Sequence, residues 1–166
     1  MKLISNGIIC RGAIAYGKFF HNNKILFGPA LVDAYETESK AAMYPRIILD
    51  KSIIKSFKEN KIISTKNRVY KKNVDRFLKE DLDDRLYIDY FEYPSDKTEN
   101  IHEYTMYMKK LREIISTGNK ENKTDIKIKY GWMKMKFNEA LKKQQNILKN
   151  VSSDPVFKEF CDISLL

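Results

Sequence analysis

Residues 24–50, KILFGPALVDAYETESKAAMYPRIILD, constrain the fold of this chain more than any other stretch. An apolar run ends at Gly28-Pro29, a segment of small and polar residues follows, Tyr44-Pro45 stops it, and a second apolar run closes the stretch. Proline is accepted in the first turn of a helix, so Pro29 fits a helix start. The residue before a proline is pushed out of the helical region, so Pro45 ends that helix at Tyr44. The spacing predicts strand, helix, strand. Leu31, Ala34/Tyr35, Glu38 and Ala41/Ala42 fall on one helical stripe, and the small residues at 30, 34, 41 and 42 predict close packing on a sheet.

Upstream, residues 8–20 alternate loosely and read as a strand, with Gly12 and Gly17 marking a bulge or a close backbone neighbour. His21-Asn22-Asn23 reads as the turn of a β-hairpin whose second strand is Lys24–Gly28. Arg46–Leu49 reads as a short buried strand. Asp50 is placed to cap a helix over residues 51–60 with Ile53, Ile54 and Phe57 on one face. Residues 61–73 read as a basic irregular connector, and residues 76–91 as a second hairpin turning at Asp81-Leu82-Asp83-Asp84 and closed by Pro94.

Beyond Pro94 the pattern is helical. Ile101, Tyr104, Met108, Leu111 and Ile115 share one face. Ile126, Tyr130, Met133, Phe137, Ala140/Leu141 and Leu148 share another after a Thr124-Asp125 cap. These stripes are core packing, and the two helices read as an antiparallel pair. The expected order is ββαβαββ and then a helical hairpin. The fold class is α+β, with divisions at residues 1–95, 96–150 and a tail over 151–166.

Composition excludes several classes. The two cysteines, Cys10 and Cys161, have no metal-ligand or disulfide-framework spacing, which fits a reduced, cytoplasmic setting. No apolar run approaches the ~20 residues of a membrane span. The net charge is +9, with excesses of +2, +2 and +5 over residues 1–50, 51–96 and 97–166. That bias toward the C-terminal helices is compatible with a nucleic-acid face. Lysine outnumbers arginine, however, and phosphate-reading surfaces favour arginine forks, so a solvated helix surface is the plainer reading. His21, in a turn, and His102, on an amphipathic helix, have no nucleophile at triad spacing. The three aspartates at 81, 83 and 84 lack the glycine and distal glutamate of a calcium loop and read as turn formers.

CRGAIAYGKFF followed by FGPALVDAYETES and RIILD resembles the second half of a class III nucleotidyl cyclase homology domain. There, an R-x-G-I-x-x-G strand and a hairpin lead into a G-x-x-V-N-x-A-x-R-L-E helix and a short strand. The resemblance covers residues 7–50 and extends more loosely over 51–93; GPAL with AYETE also resembles a divergent bacterial branch of cyclase-like proteins. It implies a partial ferredoxin-like sheet that lacks the family's opening strands. Those strands carry the two aspartates that hold Mg or Mn, so no cofactor is expected for this chain alone. The ribose-orienting asparagine falls on Val32, and the phosphate-stabilising arginine on Glu36. Valine has no polar group to offer, and glutamate repels a polyphosphate. A shift by one residue would put Asp33 at the asparagine position, against the apolar register. Ile25, Phe27, Gly28 and Pro29 are the nucleotide-proximal positions. The helix start at Gly28-Pro29 could meet a phosphate through backbone N–H groups, although Pro29 removes one donor. The expectation is a scaffold without independent catalysis that forms a homodimer or completes a site with a full cyclase-like subunit. A basic nucleic-acid-binding or protein-interaction module is the alternative.

Overall fold

In a computed structural model, which describes residues 2–59, 77–92, 101–149 and 155–166, the chain is α+β and divides into two compact units. One is Cys10–Asp89; the other joins Met1–Ile9 to Tyr90–Leu166. The basic connector, Arg76, Pro94 and the start of the expected helix at 98–100 lie outside the described residues.

The first unit holds β1 (Gly12–Ile14), β2 (Phe20–His21), β3 (Leu26–Phe27), α2 (Pro29–Ala41), β4 (Ile47–Leu49), α3 (Lys51–Glu59), β5 (Leu78–Glu80) and β6 (Leu86–Ile88). β1, β4, β6 and β5 form one sheet in that order. β1 runs parallel to β4, with Gly12, Ala13 and Ile14 opposite Ile47, Ile48 and Leu49. Parallel neighbours need a crossover, and α2 supplies it, packing on both strands. β4, β6 and β5 are antiparallel. Ile48 is fully buried and Leu49 nearly so, as expected for a strand at the centre of the sheet.

Two sequence expectations need correction here. The run 8–20 is not one strand: Gly12–Ile14 joins the main sheet, whereas Phe20–His21 pairs only with Leu26–Phe27 in a separate two-stranded ribbon. The reason lies in the chain between them. Tyr16 N donates to Ser52 Oγ (3.0 Å), and a Cβ on Gly17 would sit 3.5 Å from that of Ala30, so the backbone leaves the sheet and closes on α2. The ribbon turns at Asn22, whose Oδ1 accepts from Lys24 N and Ile25 N at 2.9 and 2.7 Å. The buried stripe of α2 is also rotated. Tyr35 is 70% exposed, and Thr37 takes the inner position instead. Thr37 Oγ1 donates to Asp50 Oδ2 at 2.7 Å, which satisfies the hydroxyl inside the unit. Asp50 Oδ1 accepts from Ser52 N at 2.8 Å and so caps α3 as expected. Burial alone would raise the Asp50 carboxyl, but the bonds from Ser52 and Thr37 outweigh it and hold it below the ordinary range.

Arg46, at the entry to β4, is the largest fully buried polar side chain of this unit. Its guanidinium forms ion pairs with Asp81 and Asp83 on the β5–β6 turn. Asp84 in the same turn takes φ 56°, and Asp81 N and O bond to Arg85 and Asp84, so the turn is closed by its own backbone. The aspartates therefore form the turn, as expected, and two of them also pin β4 to the far edge of the sheet. The Arg46 bond draws the Asp83 carboxyl below the ordinary range against a smaller opposing effect of burial.

The second unit is helical: α1 (Lys2–Ser5), α4 (Ile101–Gly118), α5 (Thr124–Lys149) and α6 (Pro155–Cys161). Ile101, Tyr104, Met108, Leu111 and Ile115 are buried on α4, and Met133, Phe137, Ala140, Leu141 and Leu148 on α5, as the periodicity required. Trp132 is buried too, edge-on to Phe91 with ring centroids 5.9 Å apart. Lys127 N donates to Lys123 O at 2.9 Å, so Lys123, not Thr124, precedes the first helical turn. The expected tail over 151–166 contains α6, because Phe157, Phe160 and Ile163 are apolar and find cover. Phe160 stacks on Tyr104 at 5.2 Å, and Gln145 Nε2 donates to the carbonyls of Cys161 and Ile163, both at 2.9 Å. Residues 1–9 belong with the helices, not with the sheet, because Ile4 of α1 is buried against α4.

Removing one partner of a buried ion pair strands the other charge, so Asp81→Asn should destabilise the protein by about 3 kcal/mol. Asp83 is half exposed, so Asp83→Asn should cost about 1 kcal/mol or less. Because the folded-state pKa of Asp83 lies below its unfolded value, its contribution is present above about pH 4 and is lost as pH falls further. Urea unfolding of both variants at pH 7 and pH 3.5 checks this; the cost of Asp83→Asn should shrink at the lower pH.

Candidate functional site: the ribbon and the entry to α2

The candidate residues gather where the β2–β3 ribbon feeds α2. Gly28 occupies φ 148°, ψ 161°, a backbone region closed to other residues. A Cβ there would lie 2.5 Å from Lys18 O and 2.8 Å from Phe19 Cα. The chain over residues 18–19 thus passes directly against the helix entry, and only glycine leaves room for it.

That crossing decides what the helix N-terminus can do. Pro29 has no N–H. Ala30 N donates to Lys18 O at 3.3 Å; Leu31 N and Val32 N donate to Gly28 O at 3.1 and 3.3 Å. The amides that would cradle a phosphate are already engaged with the chain's own carbonyls.

The side chains around this entry are largely apolar and exposed. On the ribbon, Phe20 and Phe27 face each other across the strands with centroids 5.1 Å apart. Phe19 stacks with His21 at 6.4 Å on the alternate positions, and Leu26 is paired with His21. Side chains on adjacent strand positions point to opposite faces, so both faces of the ribbon carry exposed apolar groups. Ile25, Phe27 and Val32 are 52%, 58% and 55% exposed. Glu36, one turn after Val32, is tied to Lys40 at 2.8 Å. Glu38 lies on the other side of α2 and pairs with Arg11 across to the β1 entry.

The structure brings Gly28, Pro29 and Val32 together at one helix entry and sets Ile25 and Phe27 on the ribbon beside it. Val32 and Glu36 share one exposed side of α2. This donor set does not suit a pair of divalent cations, which need several hard oxygens converging on one point: the carboxylate of Glu36 is engaged by Lys40, and Val32, one turn before it, is apolar. Among the described residues, no group of three or more His, Cys, Asp or Glu is placed to hold a metal, and no helix is long and apolar enough to cross a membrane. Sequence reasoning missed two structural residues of this unit, Arg46 and Thr37. The acidic turn at 81–84 signalled a need for a cation, but nothing local pointed to Arg46.

Comparison with protein-family models, with curated proteins and with solved structures finds no match.

Gly28→Ala should cost about 2 kcal/mol or more, from its backbone strain and the clash with Lys18 and Phe19. Gly12→Ala, whose Cβ would meet nothing within 4 Å, should cost far less. Thermal unfolding of the two variants side by side checks the difference.

Proposed function

We propose that this chain is a cyclase-homology scaffold without catalysis of its own that works by docking against a cyclase-like subunit, a second copy in the first instance. The observation that carries this reading is the ribbon bare on both faces. A two-stranded ribbon alone is marginal in water, and contiguous exposed apolar area beyond a few hundred Å² marks an interaction surface. Tyr16, Phe19, Phe20, Ile25, Leu26, Phe27, Val32 and Tyr35 each leave about half or more of their surface in solvent. At the areas such side chains offer, that is roughly 800 Å², about what one partner contributes to a standard interface.

The cyclase part of the reading rests on the sequence resemblance over residues 7–50, and the βαβ order β1–α2–β4 is compatible with it. In a ferredoxin-like sheet the two parallel strands are separated by another, whereas here β1 and β4 are direct neighbours, so the strand order departs from the expected sheet and the structural support for the reading is the βαβ order alone. The absence of catalysis is supported by what stands at the two helix positions. Val32 offers a nucleotide no hydrogen bond, and Glu36 offers a negative charge where the reaction needs positive charge to gather.

Light scattering coupled to size exclusion, run from about 5 to 200 µM protein, should show a dimer that Phe20→Glu with Phe27→Glu converts to monomer without loss of helical circular dichroism. A wild-type monomer at every concentration would remove the docking reading. Incubation of the pure protein with each nucleoside triphosphate and Mg or Mn should give no cyclic product.

A further inference from the structure

We infer that the outer edge of β1 pairs with the same edge of a second copy, antiparallel and centred on Ala13, joining two four-stranded sheets into one. The inference rests on the docking reading above, because a pairing of three-residue strands orients a dimer rather than holding one together. It adds a contact which that reading does not contain, since the ribbon is a sheet of its own.

The backbone of β1 has a used side and an unused one. Gly12 N donates to Arg46 O at 3.2 Å, Ile14 O accepts from Asp50 N at 2.8 Å, and Tyr16 N donates to Ser52 Oγ at 3.0 Å, all toward β4 and the start of α3. Backbone groups alternate in direction along a strand, so the N–H and C=O of Arg11, Ala13 and Ala15 point away from β4. β1 ends the sheet, and among the described residues no strand lies on that side. Ile14 is 43% exposed, and Gly12 and Ala13 are partly exposed. Natural sheet edges are blunted by charge, proline or a bulge. The opposite edge follows that rule, since β5 carries Lys79 and Glu80. β1 is Gly-Ala-Ile, paired with β4 in unbroken register, and has none of these devices.

What selects a second copy is that this edge complements itself, as a two-fold contact requires. With Ala13 on the axis, its outward N–H and C=O exchange both bonds with the second copy's Ala13. Gly12 then falls opposite the second copy's Ile14, in the closer, non-hydrogen-bonded kind of pair. A Cβ on Gly12 would meet nothing within 4 Å, so the exposed Ile14 of each copy has open space over Gly12 of the other. Arg11 falls opposite the second copy's Ala15, so its charge, already paired with Glu38, meets no like charge. Residues 15–19 join β1 to the ribbon, a reach of at most about 20 Å, so a copy seated on the ribbon lies near this edge.

The test is register-specific cross-linking in a Cys10→Ser, Cys161→Ser background, under mild oxidation at a concentration where light scattering shows dimer. Positions 12 and 14 lie opposite each other across the axis with Cα atoms about 4.5 Å apart, inside the range a disulfide spans. Gly12→Cys mixed with Ile14→Cys should therefore give linked dimer at least about tenfold faster than either variant alone. Ile14→Lys, at an exposed position, should weaken the dimer about tenfold with an unchanged melting temperature at high dilution, because a charge on an edge strand opposes pairing. Ala13→Pro removes an outward N–H and no bond to β4, and should act in the same direction. A dimer that Phe20→Glu with Phe27→Glu dissolves, but that gives no mixed cross-link and keeps its affinity in Ile14→Lys, overturns the β1 pairing and leaves the ribbon reading standing. A mixed cross-link in a dimer that the ribbon variant does not weaken supports the β1 pairing and removes the ribbon from the interface. A monomer at every concentration overturns both, and Ile14→Cys linking to itself as fast as to Gly12→Cys overturns the register.

Discussion

The buried guanidinium of Arg46 organises the sheet unit. It stands at the entry to β4, the strand to which β1 pairs on one side and β6 on the other, and it holds the β5–β6 turn through Asp81 and Asp83. A cation with no exposed surface is tolerated only where anions meet it, so the turn must arrive in one register. β4 pairs with β6 through Ile48 and Tyr87, and β5 follows β6 in register from Leu78 to Glu80. Strands of three residues have few ladder bonds of their own, and the ion-pair cluster supplies an orientation that the ladders alone would specify weakly.

With the sheet fixed, the helix that crosses it is fixed as well. α2 lies on β1 and β4, and Thr37 reaches Asp50 at the end of β4, where the same carboxylate caps α3. One aspartate thus couples strand, crossover helix and following helix. The consequence for function is a division of α2 into two sides. Its inner side is committed to the sheet, and its outer side presents Val32, Tyr35 and Glu36 beside a ribbon of exposed aromatics. Gly28 sets that boundary, because the chain over Lys18 and Phe19 can pass over the helix entry only where there is no side chain. The same crossing consumes the first amides of α2. The N–H groups at this entry therefore donate to the chain's own carbonyls.

The helical unit follows different physics. Its core needs no polar device comparable to Arg46, since two long amphipathic helices bury contiguous apolar stripes and α6 covers what remains. Polar groups instead fasten its periphery: the hydroxyls of Tyr104 and Tyr107 donate to the carbonyls of Phe91 and Tyr90, and Asn138 and Gln145 hold the final residues through their backbone. The last residues thus lie along α5 between Asn138 and Gln145, and the helix carries structural contacts on its outer side as well as its inner one.

By itself the sequence determined the elements whose signals are local. Gly28-Pro29 opens α2, which closes at Ala41, short of the Tyr44-Pro45 stop, Asp50 caps α3, the aspartates of 81–84 make a turn, and the stripes of α4 and α5 name most of their buried residues, because each signal acts within a few residues of its own position. Tertiary structure alone decided the rest. It split residues 8–20 between two sheets, drew Thr37 inward and Tyr35 outward, joined Arg46 to carboxylates 35 and 37 residues away, and made a packed helix of 155–161. These outcomes depend on which groups meet across the fold, and no period or spacing along a single strand or helix encodes the partner that a buried charge or a half-apolar turn will find.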